Sequence, residues 1–574
     1  MKKIWWWLAI GVLVGALAIR IFQLTQSPPA PYWEEVALGY DAYALLKTGQ
    51  DHHGNPWPTV AFESFGDWKP SGYFYALLPF IHWFGLSVFS VRLLSVVAGV
   101  GIVAGVGVLI CQLAGDRFNQ LQRRWLALLA LFISALSPWL IQFSRAAWEA
   151  NLATLLITWG VVFGWQAVVT EQQQKRRFVW LLLSIASLFG AMYSYHSARI
   201  LAPALGLLIG WLFIRQDWQG RMKNVWLVGY ILPLFMTAFL LRPFTEALGT
   251  PALSQRLAET SVFSDLAVIE ESNRLRALQG DSLLSRVIYH RYLLFGGEVA
   301  SQFFSHFTLD FLFITGDANP RHSTQYFGLF YPFEVVFLLV GAGWALRHLS
   351  TRQKQLLSTW LIFGILPAAM TRTTPHALRI LPAAPVFLLA ITLGAWQVLA
   401  WLKKETGRVW PLLKKRPIIW PTSLVIVYLL FFAAVYRHLL TVYPQRYATE
   451  WQYGYQQLVE TVEKLRLENP DLPVYITREQ GRPAMYYWFY TQTDPVLVQQ
   501  ANEGVKKDQG EFLEFANLHF VRSLDEVSAT PAIVAGSPGE IMRFQQLAKP
   551  QPQANLTVVT DLAGQAIWSV AVIN

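Results

Sequence analysis

Cysteine is almost missing from this chain: its 574 residues include one, Cys111, set within an apolar stretch. That excludes a disulfide framework. Charge is scarce as well. Only 14% of the residues are Asp, Glu, Lys or Arg, where soluble domains run near a quarter. Acids are the rarer sign, 36 against 46 bases, which leaves a net charge of +10 and a pI of about 9.5. There are no internal repeats and no low-complexity tracts, so an inverted-repeat transporter gets no support. Closely spaced metal motifs such as His-x-x-x-His are absent too.

Apolar residues are abundant. The chain is 54% hydrophobic and 15% aromatic, with a mean hydropathy of +0.34. In a soluble protein the basic excess would suggest nucleic acid. Here most of it sits in loops that flank apolar stretches, as the positive-inside rule describes. No nucleic-acid partner is expected.

Stretches near the ~20 residues needed to cross a bilayer core fall at 4–23, 92–113, 124–142, 148–169, 178–195, 199–214, 224–241, 330–347, 355–371, 378–402 and 418–436. This predicts an α-helical polytopic membrane protein of about eleven spans. The start of the chain resembles a signal peptide but lacks a small-x-small cleavage site before Gln23, and reads as an uncleaved first span. With the N-terminus inside, the inner loops carry Arg117, Arg123 and Arg124, then Lys175–Arg177, then Arg215, Arg221 and Lys223, then Arg347, Arg352 and Lys354, then Lys403 to Arg416. The short outer loops carry only Arg145, Arg199, Arg372 and Arg379. The alternation predicts a cytoplasmic N-terminus and an extracytoplasmic C-terminus in a cell (plasma or inner) membrane. Residues 72–89 are apolar, but counting them as a span would invert every later loop. They are therefore expected to form a juxtamembrane or re-entrant helix.

Three larger pieces should project outward: 24–91, 242–329 and the more polar tail, 437–574. The tail mixes a helical pattern over 451–468 with β-like runs at Pro473, His519, Ala532 and Thr557, which predicts a small α/β domain. In the first outer loop Glu34 and Glu35 follow the first span closely, and a carboxylate at a membrane face is a candidate general base. Asp41, seven residues after Glu34, shares its helix face.

An ordered set of motifs runs through the chain. Trp33-Glu34-Glu35 is followed by Gly39-Tyr-Asp41-Ala, Thr48-Gly-x-Asp-x-x-Gly54 and Gly66-Asp-x-Lys69-Pro. Later come Phe143-Ser-Arg145-x-x-x-Glu149-Ala-Asn151, Tyr195-His196-Ser-Ala-Arg199, Phe311-Leu-Phe-Ile-x-Gly-Asp317-x-Asn319-x-Arg321-His322 and Pro375-His376-x-x-Arg379. This set resembles family 39 of the glycosyltransferases, the GT-C-fold group of protein mannosyltransferases and bacterial aminoarabinose transferase-like enzymes. The resemblance covers almost the whole chain and matches the tail only loosely. It implies a GT-C transmembrane catalytic domain over 1–436, which leaves the tail, 437–574, as the extracytoplasmic α/β domain read from its own pattern, and transfer of a sugar from a polyprenyl-phosphate carrier on the outer face. The family's acid pair is usually Asp-Glu, with the Asp as catalytic base. Glu34 takes that position here, and the family's Asp-x-Lys-Pro-Pro becomes Asp67-Trp-Lys69-Pro70-Ser71.

The leaving phosphate develops charge and needs cationic donors, which arginine supplies through two parallel hydrogen bonds. Lys69, Arg145, Arg199, Arg321 and Arg379 are the outer-side candidates, with Lys69 and Arg199 foremost. Tyr195, His196, His322 and His376 are further candidates to contact phosphate or sugar. The outer histidines with Glu35 also make a candidate divalent-metal site, Glu35 and His196 being its expected ligands. The rival readings are a polyprenyl-glycan binding or flipping protein without a transfer base, and a secondary transporter. The near absence of ionisable residues within the spans argues against the transporter.

Overall fold

The computed structural model describes residues 2–170, 174–217, 261–409, 419–502, 504–508, 510–528, 530–547 and 555–573. The chain forms two compact units, neither of them continuous in sequence. The first comprises Met1–Ile19, Val97–Phe143 and Glu149–Val435; the second comprises Arg20–Val96, Ser144–Trp148 and Tyr436–Asn574. The expected boundary near 436 thus marks the last entry of the chain into the second unit, and the first outer loop groups with the tail.

Among the described residues seven helices are long and apolar enough to cross a membrane, or eight if the pair Gln120–Leu136 and Pro138–Ser144, bent by 58°, counts as one span. The expected span 224–241 lies outside the described residues. Two more expected spans, 330–347 and 355–371, fold as Glu334–His348 and Thr351–Ala369. The first has only 15 residues, and the second opens on a polar turn holding Arg352 and Lys354. Gly72–Phe84 has 13 residues, interrupted by Pro79 and closed by Gly85 at φ 71°. At 1.5 Å per residue it reaches about 20 Å, short of a ~30 Å bilayer core.

In the first unit, glycines let helices touch. A Cβ on Gly341 would lie 1.8 Å from the Ala390 carbonyl oxygen, and one on Gly394 would lie 1.8 Å from that of Phe337. Glu334–His348 and Ala384–Val409 therefore cross backbone to backbone, as small residues permit in apolar surroundings.

The second unit contains a six-stranded sheet in the order Glu514–Phe515, Leu518–Val521, Val474–Thr477, Ala532–Gly536, Ala566–Ile573, Asn555–Thr560. Val474–Thr477 runs parallel to both its neighbours. It and Ala532–Gly536 are buried at every position, so they read as continuous apolar runs rather than alternating ones. Three of the expected β-like runs lie in this part of the sheet or beside it, and the fourth is its edge strand Asn555–Thr560. A separate hairpin pairs Ala61–Ser64 with Asp67–Pro70. Its two turn residues, Phe65 and Gly66, have φ 56° and 73°, the left-handed pair that a two-residue hairpin loop requires.

Candidate functional site

In the second unit the helix Trp33–Thr48 carries the expected acids. Its N-terminus is held from several sides. The Trp33 amide donates to Gln452 Oε1 (3.1 Å), Gln452 Nε2 donates to the Gln480 carbonyl, and the Tyr486 hydroxyl donates to the Pro31 carbonyl (2.7 Å). Gly49, at φ 73°, closes the other end.

Glu34 lies in the first turn and ion-pairs with Lys69 from the hairpin, Nζ to Oε1 at 3.0 Å. The lysine side chain is buried, while that of Glu34 keeps 31% exposure. The pair joins a solvent-reached carboxylate to a sheltered cation.

Glu35, one residue on, is buried. Arg92 Nε and an Nη grip its two oxygens, each at 3.0 Å, and the amides of Ala147 and Tyr32 donate to the same oxygens. Arg92 also binds the carbonyls of Leu24, Pro28 and Ala30. This carboxylate is taken up in cross-linking the unit, which opposes the expected metal role of Glu35. Arg145 is engaged similarly, donating to the carbonyls of Ser27, Arg20, Phe22 and Gln23. Asp41 is buried and binds His52 Nδ1 at 2.6 Å and the His52 amide at 3.0 Å. Burial alone would lower His52, but the charge and hydrogen bond of Asp41 hold its pKa above the usual histidine value.

The remaining expected residues lie in the first unit, in two groups. Tyr195 and His196 lie in the turn between Gln174–Ser194 and Ala198–Asp217 and Arg199 in the first turn of the second helix, with Arg199 Nη1 3.4 Å from His196 Nδ1. The second group surrounds Asp317. Its Oδ2 lies 3.4 Å from His322 Nδ1 and 3.8 Å from His376 Nδ1, and accepts from the Ala377 amide at 2.7 Å. Oδ1 accepts from the Asn319 amide, fixing the turn that presents His322. The His322 ring stacks on that of Phe143 and lies beside that of His376. Arg321 is next in sequence to His322, and Arg379 donates to Thr371 Oγ1 and the Thr373 carbonyl.

Among the described residues Asp317, His322 and His376 are the group with ligand atoms close enough for a metal ion, all within 4.8 Å of one another. Two imidazoles and one carboxylate suit zinc or a similar divalent ion. Among the described residues His376 Nδ1 makes no hydrogen bond. Burial, with His322 and Arg379 alongside, pushes the His376 pKa down to about 2, so the ring is neutral, as a metal ligand must be. Against burial, the neighbouring His322 and the Ala377 amide hold Asp317 below the usual carboxylate value. The metal ligands expected from sequence, Glu35 and His196, are not in this group. Asp317 is not among the residues expected at a site, and its signal in the sequence is the Gly316-Asp317 before Arg321-His322. Behind His376, the buried His306 accepts the His376 amide on Nε2 (3.2 Å) while its Nδ1 meets the Gln302 carbonyl (2.8 Å).

Apolar helices of spanning length, motif-bearing loops and a small C-terminal sheet define a GT-C-type membrane fold. Apo ArnT from Cupriavidus metallidurans shares it at TM-score 0.54 and 12% identity, over 98% of this chain and 97% of that one. The ArnT structure bound to undecaprenyl phosphate matches at TM-score 0.52 and 12% identity, over 99% and 97%. No family model matches the chain, and no curated protein matches its sequence.

Proposed function

We propose that this chain is a membrane glycosyltransferase that moves a sugar from a polyprenyl-phosphate carrier to an acceptor hydroxyl on the outer face of the membrane. The Glu34–Lys69 pair carries this reading: a part-exposed carboxylate and a sheltered ammonium 3.0 Å apart, in the first turn of a helix and on a rigid hairpin. The ArnT fold supports it, since one ArnT structure holds undecaprenyl phosphate.

In the reaction Glu34 takes the proton of the acceptor hydroxyl. The acceptor oxygen bonds to the anomeric carbon as the bond from that carbon to the phosphate oxygen breaks, and the electron pair leaves on the phosphate. Before the donor arrives, Lys69 neutralises Glu34. A bound phosphate competes for the ammonium, which then stabilises the leaving charge and frees the carboxylate to act as base. The resemblance expects inversion at the anomeric carbon. The cytoplasmic N-terminus and outer-face C-terminus follow from the basic-loop alternation. Asp317, His322 and His376 would hold a divalent ion, which supplies a fixed positive charge when bound.

Purified protein in nanodiscs with a polyprenyl-phosphate sugar tests the chemistry. Glu34→Gln should abolish transfer and keep donor binding, while Glu34→Asp, which restores the family residue, should keep measurable activity. Lys69→Ala should weaken donor use by about tenfold or more, the loss of a hydrogen bond to a charged group. Full transfer by Glu34→Gln would move the base elsewhere. Elemental analysis tests the metal: wild type should copurify with a divalent ion that Asp317→Ala lacks, and equal metal content in both would dismiss the site.

A further inference from the structure

The second unit contains a cavity of about 470 Å³, within the ~300–1,000 Å³ common for small-molecule sites. Trp33, the residue before Glu34, forms part of its wall. The rest comes from the tail: Arg478, Gln480, Arg482, Asp508, Glu511 and their neighbours. None of these tail residues carried a motif.

The wall is built rather than incidental. The Arg478 side chain is only 9% exposed; an Nη donates to Asp508 Oδ2 at 2.7 Å, and Nη1 lies 3.8 Å from Glu511 Oε2. Among the described residues its Nε makes no hydrogen bond, although it is buried. Arg482 lies 3.5 Å from Glu511 Oε2 and over the rings of Trp33 and Phe65, 5.9 and 5.2 Å from their centroids. Gly481 sits at φ +140°, where a Cβ would meet Gln452 Nε2 at 2.3 Å, so a side chain is not accommodated there. The same Gln452 accepts the Trp33 amide. The cavity wall and the first turn that bears Glu34 are thus parts of one hydrogen-bonded frame.

The charges nearly cancel: Arg478, Arg482 and Arg522 face Glu479, Asp508 and Glu511. A simple anion would meet three carboxylates, and an acyl chain would strand the polar groups. A polyhydroxylated ring fits both signs, since each hydroxyl donates and accepts, and the Trp33 indole borders the cavity. We propose that this cavity docks the acceptor and that the acceptor is a saccharide. The inference rests on the transferase reading and adds the acceptor's chemical class to it.

Saturation-transfer NMR on the full-length protein in nanodiscs tests it, with glucose, galactose, mannose, N-acetylglucosamine and a Ser/Thr peptide as probes and no donor present. At least one pyranose should bind. Arg478→Gln and Trp33→Ala should weaken it about tenfold or more. Arg522→Gln, at a side chain 72% exposed, alters the cavity where folding is not at risk and should weaken binding as well. Binding of the peptide alone, of no sugar, or of sugar equally well by all variants would overturn the proposal. The two readings fail separately. Sugar bound through Arg478 beside full transfer by Glu34→Gln would sink the transferase chemistry alone. Glu34-dependent transfer with an unchanged acceptor KM in Arg478→Gln and Arg522→Gln would sink the docking site alone.

Discussion

Glu34 and Glu35 leave one helical turn in different directions and meet different cations. Lys69 meets a carboxylate that water still reaches, whereas Arg92 and two backbone amides enclose Glu35. Removing one member of a buried pair strands the other charge and costs about 3–5 kcal/mol. Water still reaches the Glu34 carboxylate, which screens its pair with Lys69 and lowers the cost of losing it. Glu35→Ala should therefore yield little folded protein, and Glu35→Gln more, because it keeps oxygen and shape. Glu34→Gln should melt close to wild type. Thermal denaturation followed by fluorescence size-exclusion checks this; equal melting of Glu35→Ala and wild type would contradict the cross-linking role. The acid pair was legible from its place after the first span. Arg92 was not, because in sequence it reads as the polar end of a span.

Elements were legible where one physical signal dominated. Val474–Thr477 and Ala532–Gly536 are short apolar runs, and both are central strands. Pro483–Thr491 is nearly all buried and aromatic-rich, so no one-sided stripe marks it as a helix. Length misled at 330–347, where helix begins only at Glu334. One short element carries a pH prediction. Glu511, on the two-residue strand Glu511–Phe512, is pushed up to about 7 by burial, with Arg482, Arg478 and the Ala484 amide pulling the other way. Its ordinary value is 4.5. The unfolded chain therefore releases this proton at lower pH than the folded one. The stabilisation is fully present below about pH 4.5 and is lost as pH rises through about 7. Melting temperatures across pH 4.5–7.5 should fall more steeply for wild type than for Glu511→Gln; parallel curves would contradict the burial.

At the scale of the whole chain, the division into units was not legible. It rests on contacts between residues hundreds of positions apart, such as Ser27 Oγ to the Leu439 carbonyl and Asn502 Nδ2 to that of His53. Residue spacing does not report such pairings, and the polar tail read as an appendage. The structure gives it a task. Gln452 Oε1 accepts the Trp33 amide, and its Nε2 holds the Gln480 carbonyl. One tail side chain thus fixes both the start of the Glu34 helix and a cavity wall. Losing these two neutral hydrogen bonds costs about 0.5–1.5 kcal/mol each, which a sheet-bearing unit can absorb. A small shift of the proposed base would cost far more in rate, since positioning dominates such chemistry. Gln452→Ala should therefore lower kcat by about tenfold or more while melting within a few degrees of wild type. Gln452→Glu keeps the acceptor oxygen and should recover part of the rate. Steady-state kinetics beside thermal denaturation decides it: an unchanged kcat in Gln452→Ala would show that the tail does not position the base.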